Sequence, residues 1–272
     1  MTDTASTELE VSLQGPVCCL TMNRPQSKNG LTSELCAAAN AALADAAKNP
    51  AVRAVMLTGA GGAFCSGLDL KAAVSMFQAM QQGGNNGGST AVGGEHLRHY
   101  LHGFIRAVRA TPKPVVAFLT GTAAGFGCDL ALACDLRIGT SRASFSELFV
   151  KRGLMPDGGG TYSLPRLIGV GKALEMMFLG DVVESEEAAR LGLLNRLVAD
   201  EAAAWEFMRR LAAGPPLVLS AIKRAVYGAS SASLDSALEF EFDMQLQLAR
   251  SNDCAEGMTA FFMKRPPEFT GT

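Results

Sequence analysis

Two short apolar runs, AVMLTG (54–59) and PVVAFLTG (114–121), each end on glycine and each give way to a glycine-bearing turn. Runs of this length, closed by glycine, read as buried strands. Before and after them lie stretches with helical spacing, TSELCAAANAALADAAKNP from Thr32 and GCDLALA ahead of CDLRIGT. Strands alternating with helices demand crossover connections and predict a layered α/β core. Upstream, LEVSLQGPVCCLTMNRP reads as two strands about the turn Gln14-Gly15-Pro16. Thr32 suits an N-cap, because its hydroxyl can accept from an unpaired N–H of the first turn, and Pro50 closes that helix. Beyond about residue 170 the pattern reads as wholly helical, with apolar residues at helical spacing. The expected organisation is a core over 1–200 carrying the site, then a helical region over 201–272.

The chain has 272 residues, enough for a large core, and 48% of them are hydrophobic against 18% charged. A net charge of −2 gives no basic footprint for nucleic acid. No apolar run reaches the ~18 residues of a membrane span. Seven cysteines, an odd number without a C-x-x-C, together with a polar start (MTDTASTELE), favour reduced thiols and a cytoplasmic location. The segment QQGGNNGGSTAVGG (81–94) reads as a surface loop. Just after it come His96, His99 and His102, whose i, i+3, i+6 spacing does not converge on one metal; no metal site is expected. Cys65 and Cys128 read as small buried fillers, and Met76, Phe77 and Met80 as packing or acyl-tail residues.

Two glycine-bearing stretches sit at strand ends: GGAFCSGLDL (61–70) and GTAAGFGCDLALACD (121–135). Glycine lets backbone approach a ligand, and the second stretch opens a helix whose first N–H groups are unpaired. Two backbone donors from separate loops are what an oxyanion needs. A third stretch, LMPDGGGTY (154–162), holds Asp157 in what by itself is turn chemistry.

Together with TMNRPQSKNGLTSEL, AFCSGLDL, PKPVVAFLTGTAAGFGCDLALACDLRIG, FSELFVKRGLMPDGGGTYSLPRLIG, EAARLGLLNRLV and EGMTAFFMKRPPEF, these stretches give a chain that resembles the enoyl-CoA hydratase/isomerase (crotonase) superfamily over nearly its whole length. The resemblance implies a spiral of ββα units with a C-terminal helical trimerisation region, in a homo-trimer or a dimer of trimers. It implies an acyl-CoA thioester substrate, with coenzyme A as part of that substrate and no separate cofactor. Leu68, after CSG, matches the first oxyanion N–H donor, and Phe126, inside GFG, the second; glycine is usual at the latter. Ser27, Lys28 and Ala63 match positions lining the CoA nucleotide, and Lys264 a basic residue reaching a CoA phosphate.

Hydratases of the family use two glutamates; here Asp129 stands at the first position and Phe149, an acyl-pocket residue, at the second. Glu147 is two residues from the second position, and on a helix ~200° of rotation would turn it elsewhere. Asp157 matches an acid found in some of the family's isomerases. The resemblance thus favours Asp157 and Asp129 as the catalytic acids of a double-bond isomerase. Hydration of a 2-enoyl-CoA, or CoA-thioester binding with weak catalysis, are the alternatives.

Overall fold

In a computed structural model of the protein, residues 8–69, 71, 73–75, 78 and 97–272 are described. The 81–94 loop, Met76, Phe77, Met80 and His96 lie outside them. The chain is α/β, as expected. Strands β1 (Leu9–Gln14) and β2 (Val17–Met22) pair antiparallel about a turn in which Gly15 takes φ 57°. Thr32 caps α1 (Ser33–Lys48), its hydroxyl accepting from Leu35 N at 3.1 Å. β2 then runs parallel to β3 (Ala54–Gly59), β3 to β4 (Val115–Leu119), β4 to β6 (Leu136–Gly139) and β6 to β9 (Arg196–Leu197), in the order β1-β2-β3-β4-β6-β9.

A smaller sheet has the order β5-β7-β8, formed by Thr122–Ala124, Ser144–Ser146 and Val183–Glu184. Consecutive strands divide between the two sheets. β4 leads into β5 and then α3 (Phe126–Ala133); β6 leads into β7 and then a 3-10 turn (Leu148–Arg152). Each pass is one turn of the ββ-helix spiral. α2 (His102–Ala110) precedes β4, and a π-helical turn (Leu97–Leu101) opens it.

The central strands are apolar along their whole length because both faces of the sheet are covered. Side chains alternate across a strand. Cys18, Leu20 and Met22 of β2, and Val55 and Leu57 of β3, join the main core. Val17 and Cys19, with Ala54 and Met56, point the other way into a second core. That second core is closed by Trp205 and Met208 of α7 (Glu201–Ala212). α7 therefore packs on the sheet itself, although it lies beyond residue 200.

The expectation of a wholly helical pattern after residue 170 is corrected. β8 and β9 are two-residue strands, too short to display alternation, set among α4 (Gly160–Ile168), α5 (Val170–Leu179) and α6 (Ser185–Leu191). The chain ends in α8 (Pro216–Ala229), α9 (Leu234–Leu248) and α10 (Asn252–Met263). Along α9, Leu234, Leu238, Phe242 and Leu246 recur every four residues and all are exposed. No helix among the described residues is long and apolar enough to cross a membrane.

Lys223 fastens α8 to the core. Its ammonium lies 2.8 Å from Asp135 Oδ2 and donates to the carbonyls of Val108 (3.1 Å) and Lys113 (3.3 Å). Tyr227 donates to Asp135 Oδ1 at 2.6 Å, so one carboxylate holds two residues of α8. Replacing Lys223 by Met should leave Asp135 with an uncompensated charge and lower stability by about 3–5 kcal/mol. The double variant Lys223→Met/Asp135→Asn should recover part of that loss, read as urea midpoints.

Candidate active site

The two glycine-bearing loops lie against each other. Leu31 N donates to Gly67 O at 2.7 Å and Asp69 N to Leu31 O at 2.9 Å, a short parallel bridge that turns the Leu68 N–H away from Leu31. Ala124 N donates to Cys65 O at 2.9 Å, and Phe64 N and Cys65 N both donate to Thr122 O, which locks the first loop to β5. Gly67 takes φ 94°, and a Cβ built there would sit 3.2 Å from Phe126 N. The Phe126 N–H is the first of α3. Neither it nor the Leu68 N–H donates to another described residue. Two free backbone donors thus stand on adjoining loops.

The segment before the first loop is fastened to it. Asn29 is fully buried: its amide nitrogen donates to the carbonyls of Ala60 and Ala63, each at 2.9 Å, and its oxygen accepts from Arg24 N. Ser66 donates from its hydroxyl to Ser27 O and from its backbone to Lys28 O. Ser27, Lys28 and Ala63, expected around the nucleotide, are thereby gathered beside Leu68. Arg24 completes this corner with ion pairs to Glu8 and Asp69, each at 2.9 Å. Lys264 takes a left-handed conformation at the C-terminal end of α10. It makes no hydrogen bond or ion pair with the Ser27–Ala63 corner among the described residues.

Three carboxyl groups converge at the start of α4. Asp129, on the first turn of α3, is 1% exposed, and its Oδ2 accepts from Gly158 N at 2.7 Å. The Phe126 ring reaches the same place: a Cβ at Gly158 would lie 2.9 Å from Phe126 Cε2 and 2.7 Å from Asp129 Oδ2. Phe126 therefore turns its side chain onto the Pro156–Gly160 turn and keeps its N–H free. Phe149 is buried against Gly125, apolar where the hydratases carry their second acid.

Asp157 is exposed on the same turn. His102 Nε2 lies 2.7 Å from the Asp157 carbonyl oxygen and ties α2 to it. Crowding by its surroundings desolvates the Asp157 carboxyl enough to raise its pKa, opposed by the nearby His102.

The third carboxyl corrects the sequence reading. Glu147 does not face elsewhere: it is fully buried, and its Oε1 borders the same space beside Gly160 as Asp129 Oδ1. The helical rotation does not apply, because Glu147 follows β7 and precedes the 3-10 turn. Strand alternation puts it on the same side as Phe145, which is buried in the core. Reading FSE with a period of two would have found it. Burial first, and Asp129's partner charge second, raise the Asp129 carboxyl well above its usual range; burial raises Glu147 to about 7.

His102 is the histidine that reaches the site. The π-helical turn before α2 breaks the regular spacing, leaving His99 exposed against Tyr100 while His102 reaches the turn. Burial pushes the Cys65 thiol up to about 12 and raises Cys128 strongly, so neither is a reactive thiol. Among the described residues no cluster of His, Cys, Asp and Glu could hold a metal ion.

The sequence profile of the family described as Enoyl-CoA hydratase/isomerase matches residues 12–272. The chain belongs to this family. It is 35% identical over 258 residues to the 1,2-epoxyphenylacetyl-CoA isomerase of Escherichia coli K12, covering 94% of this chain and 95% of that one. It is 30% identical over 259 residues to the short-chain-enoyl-CoA hydratase of Clostridium acetobutylicum, covering 94% of each. The crystal structure of an enoyl-CoA hydratase from Polaromonas sp. JS666 superposes with a TM-score of 0.86 at 33% identity, over 96% of this chain and 99% of that one. The crotonase fold is thereby established.

The close approach of the loops makes a graded prediction. A Cβ at Gly127 would lie 2.2 Å from Cys65 O, so backbone must part from backbone. At Gly67 the contacts are 3.1 Å and longer, and the cost is mainly the positive φ, about 1–2 kcal/mol. Gly127→Ala should lower the urea midpoint more than Gly67→Ala does.

Proposed function

We propose that the protein acts on an enoyl-CoA thioester through an enolate stabilised by the Leu68 and Phe126 N–H groups, and that it moves a C=C bond by a 1,3-proton shift with Asp157 as shuttle. The thioester carbonyl oxygen sits between the two donors. Asp157 removes a proton from C2 of a 3-enoyl thioester. The electron pair spreads over the carbonyl and the former double bond, and the proton returns at C4. Each donor lowers the enolate barrier by about 3 kcal/mol. Coenzyme A enters as part of the substrate, with no separate cofactor, and its nucleotide lies at Ser27, Lys28 and Ala63, with Lys264 toward a phosphate.

The observation that carries the reading is the unequal placement of the three carboxyls. Asp157 is exposed, whereas Asp129 and Glu147 are closed off behind Phe126 and the Gly158–Gly160 turn. Asp129 then acts by anchoring the Asp157 turn through Gly158 N. Hydration, the activity named for the Clostridium relative, calls for two acids around one water, and apolar Phe149 stands at the second position. It is the second reading, with Asp129 and Asp157 activating water. A CoA-thioester binder with weak catalysis is the third.

Asp157→Asn preserves turn chemistry and removes the basic lone pair. It should keep the wild-type melting temperature and lose about 10²–10⁴-fold in the isomerisation rate of a 3-enoyl-CoA. A base works when ionised, so the wild-type rate should climb with pH through the raised Asp157 pKa, and the variant should lose that limb. Incubation of 2-enoyl- and 3-enoyl-CoA followed by mass spectrometry separates the readings: water adds mass, isomerisation does not, and a binder changes nothing.

The helical region over 201–272 is proposed to assemble a trimer or a dimer of trimers, with the chain working in the cytoplasm. The exposed apolar row of α9 supports this. Sedimentation should give three or six times 28.5 kDa. Leu238→Lys/Phe242→Lys should shift it toward the single chain.

A further inference from the structure

Glu147 matches no acid of the family pattern that the sequence resembles, yet it is as deeply buried as any polar side chain among the described residues. Both of its carboxyl oxygens, and Oδ1 of Asp129, have no hydrogen-bond partner among the described residues. The groups facing the pair are Asp157 on the turn and the Cys128 thiol on α3, neither of them a cation. His102, on α2, is held at the Asp157 carbonyl. No lysine or arginine forms an ion pair with Asp129 or Glu147 among the described residues. Gly160 brings the two together: a Cβ there would lie 2.1 Å from Asp129 Oδ1 and 3.2 Å from Glu147 Oε1, so both oxygens point into the space that Gly160 leaves.

Two buried negative charges in contact, without a cation, would be far too costly to persist. A proton between them removes one charge and supplies the missing donor.

We propose that Asp129 and Glu147 form a proton-sharing pair that keeps at least one proton while Asp157 is ionised, so that Asp157 remains the only free carboxylate of the site. Glu147 is a positioning residue: it touches Asp129, which holds the turn bearing Asp157. The shared proton keeps Asp129 from repelling the charge on Asp157, while Asp129 Oδ2 still accepts from Gly158 N. The consequence for catalysis rests on Asp157 being the base, but the pair itself does not.

The test uses the resting protein, without substrate, so its failure is separate from failure of the isomerase reading. Infrared spectra with ¹³C-labelled Asp and Glu, taken near pH 7, should show a protonated carboxyl stretch. Ordinary carboxyl groups are ionised there. The band should survive in Asp157→Asn and vanish in Asp129→Asn/Glu147→Gln. Absence of the band in the wild type, or its survival in the double variant, would overturn the proposal.

A second readout needs only Glu147→Gln. The Glu147 pKa is raised in the fold, so the folded state binds more protons than the unfolded chain. Stability is then greatest below the unfolded value and falls as pH rises toward about 7. Melting temperature against pH should show that fall in the wild type and a flatter curve in Glu147→Gln. A side chain that merely fills space would shift the melting temperature equally at every pH, and parallel curves would contradict the shared proton.

Discussion

The site depends on one backbone contact: the first turn of α3 lies directly on Cys65, close enough that Gly127 admits no side chain. Everything else in the constellation is measured from that contact. It sets Phe126 N beside Gly67 and one residue away from the Leu68 N–H. It also fixes the direction of α3, and with it the depth of Asp129. The hydrogen bonds from Phe64, Cys65 and Ala124 hold the two loops in register. The donors are thus preorganised by main chain alone, and no side chain has to move to orient them.

Phe126 shows how this arrangement tolerates an unusual residue. An oxyanion donor needs only an N–H, so a benzyl group is acceptable if it finds room elsewhere. It finds room against Gly158, where a Cβ would come within 2.9 Å of the ring. The ring and the glycine turn together close Asp129 from solvent. The same closure that buries Asp129 and Glu147 leaves Asp157 outside, so three neighbouring carboxyls divide into two closed from solvent and one open to it.

Much of this was legible in the sequence because it is written in local chemistry. The central strands showed as apolar runs, since the two-sided burial of β2 and β3 leaves no polar face. Thr32 announced its cap, and the glycines of the two loops announced close approach. β8 and β9 were invisible: at two residues each, they exist by pairing with β7 and β6 and have no pattern of their own. Glu147 escapes a helical period because the strand period still rules at its position, directly after β7. His102 was obscured by the π-helical turn, which alters the phase of the helix without a marker in composition. Its contact with the Asp157 carbonyl is tertiary, across 55 residues of sequence, and no spacing rule reaches that far.

The proposed convergence of the Leu68 and Phe126 N–H groups on one oxygen is best tested on that oxygen's own carbon. A nonreactive acyl-CoA labelled with ¹³C at the thioester carbonyl can be bound to the wild-type protein and followed by NMR. Two donors directed at the oxygen polarise the carbonyl, so its resonance should move downfield on binding. A bound ligand whose carbonyl resonance stays at its solution position would show that the two loops do not share an oxyanion, and would contradict the central role given to them here.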